Sequence, residues 1–549
     1  VSRAITREDL TSAVRLLARL PSRLRAPVTL VEARAVVRDR LDRRDELFLD
    51  LARRTIFERP ASPYRPLLAR AGCEWGDLAR LVRADGVEGA LRTLCRQGVY
   101  FTVDEFKGRR PVVRGSETFD VAPHRFHNPV ATPELSIGTS GSRGRSTAVP
   151  LGLDQIRDNA IDLRLSLEAR GGGRWTHALW STPGSSALGS GVRLALMGTP
   201  PSRWFSQVDP RAAGLHPRYA WSARVVRLAG ALARSPIPAP EYVPVQDPEP
   251  IARWMSAVLR AGGTPHLQTY VSGAVVVARA AERAGVPIRG AQFTVTGEPA
   301  TPLRMAVVEA AGASVVPRYS MQETGTIGYG CLGRKASDEV HVYRHRHALV
   351  QPGEDGAALG LPAAALLATS LSPTARMILL NVSTGDQADL DERECGCPLQ
   401  GLGWPTHLQN VRSFEKLTAA GMTFADADVV GVLEGVLPAR FGGGPGDYQL
   451  QEVEDEAGRA RLRLVVDPAV GALDEAAVSR AFLDVIGQGA GPERVMGQAW
   501  REWQVVQVVR ARPATTGSGK ILHLHVAREL STREPGAILG PTRPRRSTP

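Results

Sequence analysis

The alternation of apolar and polar positions changes rhythm twice along the chain, and each rhythm predicts a different kind of element. Up to about residue 125 the sequence is rich in Arg, Leu and Ala, with Leu10, Val14, Leu17 and Leu20 at helical spacing. This predicts a helical lead-in over 1–125 that packs on whatever follows. From about 130 to 410, short β-branched runs alternate with Ala-rich segments. Gly273 to Gly285 reads as a helix closed by a glycine cap, and Phe293-Thr-Val-Thr296 as the strand after it. Strands alternating with helices predict an α/β fold with a mainly parallel sheet, a large multi-sheet body over 126–411. In the third rhythm Ala460, Leu462, Leu464 and Val466 alternate with Arg459, Arg461 and Arg463 after the turn-like 454–458. Residues 448–467 therefore read as a β-hairpin, Leu473 to Ile486 as an amphipathic helix and Trp503 to Val509 as a strand. Together they predict a small C-terminal α+β domain over 412–530, and the polar, Pro-rich 531–549 reads as a disordered tail.

Composition narrows the classes. The 549 residues amount to about three to four units at roughly 100–200 residues each, and a 43 % hydrophobic fraction supplies a core, which excludes a wholly disordered chain. The 68 Lys+Arg against 56 Asp+Glu leave a net charge of +12, which raises nucleic acid as a partner. Acidic residues are interspersed with the basic ones, however, and aromatics are only 5 %, so stacking platforms for bases are few and no nucleic acid is expected. The start, with Arg3, Arg7, Glu8 and Asp9, lacks the apolar core of a signal peptide. The most apolar stretch, Leu359 to Leu371, is broken by Gly360 and Pro362 and is shorter than the roughly 18 residues of a membrane helix. A soluble cytoplasmic protein with no membrane span is the expectation. Five cysteines in so long a chain do not make a disulfide framework.

Five short segments carry candidate chemistry. Ser136 to Thr147 gathers hydroxyls and glycines in one loop, and small residues let N–H groups and hydroxyls converge on a phosphate. It lacks the Gly-Lys-Ser/Thr ending of a Walker loop. Gly297-Glu298-Pro299 follows a strand and places a turn at the carboxyl edge of the sheet, where open α/β sheets bind ligands. Arg318-Tyr319-Ser320-Met321-Gln322-Glu323-Thr324 comes next, with Tyr319 able to stack on a base and Glu323 able to hold Mg²⁺. Gly385-Asp386 offers a carboxylate to ribose hydroxyls, and Arg412 stands just before the third rhythm begins. Lys520, in Thr515-Thr516-Gly517-Ser518-Gly519-Lys520, is a lysine on a Gly-flanked loop that could stabilise transition-state charge. Taken singly, each of these also reads as turn chemistry, a packed aromatic or a solvated charge.

In this order the segments resemble the adenylate-forming superfamily of acyl-CoA synthetases and adenylation domains. Thr139-Ser140-Gly141-Ser142-Arg143-Gly144 looks like its phosphate loop, Tyr319 with Glu323 like its Tyr-Gly-x-Thr-Glu motif, Asp386 like its Thr-Gly-Asp and Lys520 like its Gly-Lys loop. The Gly-Glu-Pro turn and the Cys395-x-Cys397 pair are similar to the phenylacetate-CoA ligase branch, and the likeness covers roughly 125–530. The resemblance implies an adenylating body and a two-step reaction: a carboxylic acid, aryl or fatty, forms acyl-AMP from ATP with Mg²⁺, and a thiol, CoA first among candidates, then displaces AMP. Transfer to a carrier protein or an amine, and a nucleotide-binding homologue that has lost catalysis, are the alternatives; a homodimer is left open. By the same resemblance Thr139, Ser140 and Ser142 contact the pyrophosphate end and Glu298 and Tyr319 flank the adenine, with Gly141, Gly144, Gly297 and Pro299 also in the nucleotide-binding set. Glu323 beside Thr324 binds Mg²⁺, Asp386 and Arg412 hold the ribose, and Lys520 serves adenylation. Rotation near Arg412 to Glu415 then withdraws Lys520. Arg143, Ser320 and Phe414 depart from the family pattern, at the phosphate loop, after the tyrosine and at the hinge.

Cys331, Cys395 and Cys397 with one histidine make a Cys₃His set suited to tetrahedral Zn²⁺ in a structural role, as the resemblance also implies. His341 fits the spacing, and His345 and His347 share its face if Val340 to Ala348 is a strand. Three buried thiols and a surface histidine with no metal are the other reading. For substrate choice, Trp180, Tyr270 and Tyr329 are candidates for an aryl or fatty pocket, or ordinary core aromatics.

Overall fold

A computed structural model of the chain describes residues 7–131, 134–138, 148–181, 185–207, 209, 217–297, 300–413, 418–419, 422–423, 429, 431–454, 460–486, 506–514 and 524–527. Its centre is a twelve-stranded mixed sheet, and the strand Ser314–Met321 is its pivot. On one side of the pivot five strands run parallel to it: Gln292–Thr296, Pro265–Tyr270, Thr176–Ser181, Arg203–Ser206 and Pro240–Tyr242. On the other side Gly325–Tyr329, Val340–Val342, Thr406–Ser413, Val382–Glu392, Ala365–Ser370 and His347–Val350 follow in antiparallel order. The expected α/β class holds, but half of this sheet is antiparallel. Between residues 325 and 413 the chain returns through turns and short helical pieces such as Gly356–Leu359, so no long crossover helix enforces a parallel pairing there.

The parallel half is covered on both faces because its strands alternate. Ala178, Trp180, Phe205, Phe293, Val295 and Val315 meet the helices Glu249–Arg260, Val271–Arg283 and Pro302–Ala310. Leu179, Trp204 and Val316 meet Leu153–Glu168, Ser185–Leu196 and the first helices of the chain. Trp180 is therefore a core aromatic, fully buried, with its indole N–H on the Val243 carbonyl at 3.0 Å, and not a pocket wall.

The lead-in is helical and packs on the body, as its spacing predicts, but with a different face. In the helix Arg7–Arg25 the buried positions are Ala13, Leu16, Leu20 and Leu24, whereas Leu10 and Val14 are exposed. Apolar residues lie on two overlapping stripes there, and the arginines decide between them: Arg23 reaches Asp154 at 2.5 Å and Arg19 pairs with Glu134. Farther on, Phe48, Tyr64, Leu91, Phe101 and Phe126 join one core with Leu367, Leu379 and Leu408 of the antiparallel half. The lead-in also contains a hairpin, Val112–Arg114 with Glu117–Phe119, that its helical composition does not predict.

The helix Leu153–Glu168 buries a polar stripe. Asp162 accepts from Arg346 at 2.6 Å and meets His345 at 2.8 Å, Asn159 accepts from Arg346 at 2.7 Å, Asp158 pairs with Arg40 at 2.9 Å, and Ser166 meets the Tyr343 hydroxyl at 2.7 Å. Burial alone would raise the Asp162 carboxyl, but Arg346 and His345 outweigh it and hold it at about 2. A depressed carboxyl stabilises the fold above its unfolded value near 4, and that contribution, about 2–3 kcal/mol, is lost as pH falls toward 2. Asp162→Asn is expected to lose about 3–5 kcal/mol at pH 7, since Arg346 is then buried unpaired. The gap to wild type should narrow between pH 5 and pH 2 in urea melts, and a gap independent of pH would remove Asp162 from this account.

The C-terminal residues form a separate four-stranded sheet, ordered Val506–Arg510, Ala460–Val466, Tyr448–Glu454 and Leu524–Ala527, with the helix Glu475–Ile486 against it. The hairpin expected over 448–467 forms, with Tyr448 paired to Val466. Residues 503–505 and the tail lie outside the described residues. Among the described residues no helix is long and apolar enough to cross a membrane.

Candidate functional site

The pivot strand ends where the two halves of the sheet diverge, the place at which open sheets leave a crevice. Its register with Gly325–Tyr329 shifts between Tyr319 and Ser320, and Gly325, at φ +85°, starts the return. A Cβ on Gly325 would meet Asn159 and Gln155 at 3.4 and 3.5 Å, ordinary contact, so it is the backbone angle that requires the glycine. The turn presents Gln322, Glu323 and Thr324 at the carboxyl edge.

Tyr319 and Asp386, 67 residues apart, meet here: the phenol donates to Asp386 Oδ2 at 2.8 Å. Burial first, then the Asp386 charge, push the Tyr319 phenol well above its ordinary value, so it stays a donor. Asp386 follows Gly385, whose φ of +75° turns the strand, and its N–H is held by Thr384 Oγ1 at 3.2 Å. Thr296 Oγ1 donates to the Arg318 carbonyl at 2.8 Å and lies 3.2 Å from Ser320 Oγ. The serine that departs from the family pattern is thus accommodated by a hydroxyl on the neighbouring strand. Gly297 ends that neighbour at φ +81° and is exposed.

Glu323 is only 8 % exposed, and the Lys107 ammonium pairs with it. Lys107 follows the short helix Val103–Phe106, whose Thr102–Glu105 capping box fixes its start. Sequence reading missed this lysine. The chain has only four lysines, at 107, 335, 416 and 520, among 68 basic residues, and that rarity is the signal that singles it out. Thr324 is buried with its hydroxyl on the Gly325 carbonyl at 3.1 Å. Arg412 pairs in register with Gln387, next to Asp386, but its guanidinium turns to Asp338 at 3.2 Å. Asp338 also accepts the N–H groups of Asn410 and Val411 at 3.0 and 2.8 Å, a second residue the sequence did not mark. Thr139, Ser140, Gly141, Ser142, Arg143, Gly144, Glu298, Pro299, Phe414, Glu415 and Lys520 lie outside the described residues. The strands Leu135–Gly138 and Ala148–Leu151 that flank the first of these pair as a hairpin.

A second cluster lies on the antiparallel side. The ligand atoms of Cys331, His341, Cys395 and Cys397 all fall within 4.8 Å of one another, and a tetrahedron with Zn–S bonds of 2.3 Å has edges of about 3.8 Å. His341 Nε2 is 3.2 Å from Cys397 Sγ and 3.6 Å from Cys395 Sγ, while its Nδ1 lies 2.8 Å from the Trp404 carbonyl. Nδ1 must donate there, which leaves the Nε2 lone pair for a metal. His341 is buried at 1 %, not a surface histidine. His345 and His347 are turned away, to Asp162 and to the Thr326 carbonyl, because the strand ends at Val342 and the alternation breaks. The donor set fits a structural zinc ion.

No family model and no curated protein matches the chain. Among solved structures it is similar to 2-hydroxyisobutyryl-CoA ligase in complex with 2-HIB-AMP and CoA, at 16 % identity and a TM-score of 0.41 over 92 % of each chain. It is also similar to an anthranilate CoA ligase in complex with anthranoyl-AMP, at 12 % identity and 0.41 over 70 % of this chain and 65 % of that one. A third is O-succinylbenzoate coenzyme A synthetase from Bacillus subtilis in complex with AMP, at 13 % and 0.41 over 72 % and 69 %. At such scores these are likenesses only, and the functional reading stands on the residues.

Proposed function

We propose that this chain activates a carboxylic acid, aryl or fatty, with ATP and Mg²⁺ to acyl-AMP, and passes the acyl group to a thiol, with CoA the first acceptor to test. The observation that carries this reading is the meeting of Tyr319, Asp386 and the Glu323 turn at one sheet edge, in the motif order the sequence displays. In the first step a carboxylate oxygen attacks the α-phosphorus and pyrophosphate leaves with the broken P–O bond. In the second a thiol sulfur attacks the acyl carbon, AMP leaves, and the thiol proton passes to solvent. Such chemistry needs positioning and charge neutralisation more than proton transfer. Glu323 is the residue to hold Mg²⁺, and Tyr319 the residue to flank the adenine. Asp386 takes the ribose hydroxyls, with Arg412 beside it. Thr139, Ser140 and Ser142 are assigned to the pyrophosphate end and Lys520 to the adenylation step. The Cys331, His341, Cys395 and Cys397 cluster is assigned to zinc.

The test is acid-dependent exchange of labelled pyrophosphate into ATP over a panel of aryl and fatty acids. One or more acids should support it, and Lys520→Ala should lower it by on the order of 10²-fold or more. Exchange unchanged in Lys520→Ala removes the lysine from the chemistry. ATP binding with no AMP formed from any acid favours the degenerate homologue instead. Acceptor profiling with CoA, carrier-protein thiols and amines separates the second steps.

A further inference from the structure

Several buried arginines of this protein have a carboxylate: Arg346 has Asp162, Arg304 has Glu434 and Arg114 has Glu105. Others among the described residues do not; Arg170 and Arg376 are held by neutral oxygens of Tyr329, Gln292, Gln155 and Gln322, which leaves Arg193 and Arg318. Arg193, on the helix Ser185–Leu196, is 8 % exposed; its Nη2 donates to Gln268 Oε1 at 3.2 Å and Ser190 Oγ at 3.1 Å, and its Nε has no partner. Arg318, on the pivot strand, has neither its Nε nor its Nη1 hydrogen-bonded. Gln268, 5 % exposed, leaves its Nε2 without a partner beside Arg193. The charges that act on Arg193 are Arg318 and Arg376, both repulsive, with the hydroxyls of Tyr343 and Tyr329. On Arg318 they are Tyr329, Tyr343 and Tyr270, and among the described residues no carboxylate is included. Two guanidiniums held near each other out of water, with idle N–H groups, are a costly arrangement in the absence of an anion.

The topology says what anion this place meets. Arg318 faces Tyr329 across the two strands, on the side where Val316 and Tyr329 pack toward the helices Leu153–Glu168 and Ser185–Leu196. Its neighbour Tyr319 points to the opposite side of the strand, where it reaches Asp386. Arg318 is therefore across the pivot strand from Tyr319, and Arg193 joins it from the helix that packs on that face. A group bound there belongs to the far end of the molecule whose near end reacts with ATP. We propose that Arg193, Arg318 and Gln268 form a subsite for a second carboxylate on the acid, so that the substrate is a dicarboxylic acid. This rests on the adenylation reading for the identity of the near end. Arg318 has free N–H donors at Nε and Nη1, which lie on different edges of its guanidinium, so it offers one of them to the carboxylate, Arg193 offers its Nε–H, and the Gln268 amide completes the set. Tyr270 lies on the same face of its strand as Gln268, whereas Tyr329 is a core aromatic with its hydroxyl on Thr294.

Matched pairs test it: adipate against hexanoate, and terephthalate against its monomethyl ester, each by acid-dependent pyrophosphate exchange and by thermal shift of the full chain without ATP. The wild type is expected to prefer the diacid of at least one pair by about tenfold or more in kcat/KM, the size of one charge-assisted hydrogen bond. In Arg318→Gln and Arg193→Gln that ratio should fall to within about threefold. Because both acids of a pair are measured on one sample, a poorly folded fraction cancels from the ratio. Equal use of diacid and monoacid by the wild type overturns the subsite, as does a preference that survives in both variants. Diacids that raise the melting temperature without any exchange would sustain the subsite and sink the adenylation reading. Exchange with monoacids alone would do the reverse, and neither exchange nor stabilisation would sink both.

Discussion

Glu323→Gln should lower acid-dependent pyrophosphate exchange by on the order of 10²–10³-fold, the effect of losing a group that holds a catalytic metal and its phosphate charge. Glutamine keeps the shape and one acceptor oxygen but not the charge, and Mg²⁺ is a hard cation that selects anionic oxygen. The same substitution has a second consequence that geometry dictates. Lys107 has a side chain only 15 % exposed and an ammonium against Glu323. Removing the carboxylate leaves that cation half-stranded, and about 1–3 kcal/mol of stability should go with it. A loss of activity could then be blamed on unfolding. Lys107→Met in the Glu323→Gln background separates the two, because it removes the unpaired charge. Stability should return toward wild type while exchange stays lost. In the single variant Lys107→Met the carboxylate is freed for the metal, so the KM for MgATP reports what the lysine contributes to binding. Exchange in Glu323→Gln within about threefold of wild type would take Glu323 out of the metal site.

The contact between Lys107 and Glu323 also shows where the reading of sequence stops. Tyr319 and Asp386 are legible because each sits in a short motif whose turn chemistry announces it, Gly325 and Gly385 included. Lys107 is 216 residues from its partner and has no motif of its own, only scarcity. The helix Leu153–Glu168 gives the opposite lesson. Gln155, Asp158, Asn159, Asp162 and Ser166 recur at helical spacing, which periodicity assigns to a solvated face, yet all five are buried. Their partners Arg40, Tyr343, Arg346 and Arg376 arrive from distant segments, so tertiary pairing overrides the local rule. The first helix was legible as a helix and misleading as to face, since Arg19 and Arg23 choose the stripe through acids more than a hundred residues away. The small C-terminal hairpin, whose alternation is local and whose turn is polar, was legible as a hairpin, and the structure adds its register.

Purified protein should carry one zinc ion per chain, and Cys397→Ser should remove it and lower stability by roughly 4 kcal/mol or more, the range associated with loss of a structural metal. The geometry makes Cys397 the informative choice. Its sulfur lies nearest His341 Nε2, at 3.2 Å, and the loop that carries it is held by its own hydrogen bonds: Gln400 Oε1 accepts the N–H groups of Cys395 and Gly396 at 2.9 and 2.8 Å, and Gly396 takes a φ of +70°. The cluster joins three chain segments, the end of Gly325–Tyr329 through Cys331, the strand Val340–Val342 through His341, and the loop before Thr406–Ser413 through Cys395 and Cys397. These strands lie between the pivot and Asp386 in the sheet, so a loosened cluster should disturb the register that holds Asp386 opposite Tyr319. Chelation is therefore expected to lower both the melting temperature and the affinity for ATP, with Zn²⁺ restoring both. Cys73→Ser is the control, a buried thiol outside the cluster that should leave the zinc content at one. Freshly purified protein free of zinc, with Cys397→Ser melting within about 1 kcal/mol of wild type, would return the three thiols, of which only Cys331 is fully buried, to the status of ordinary free cysteines.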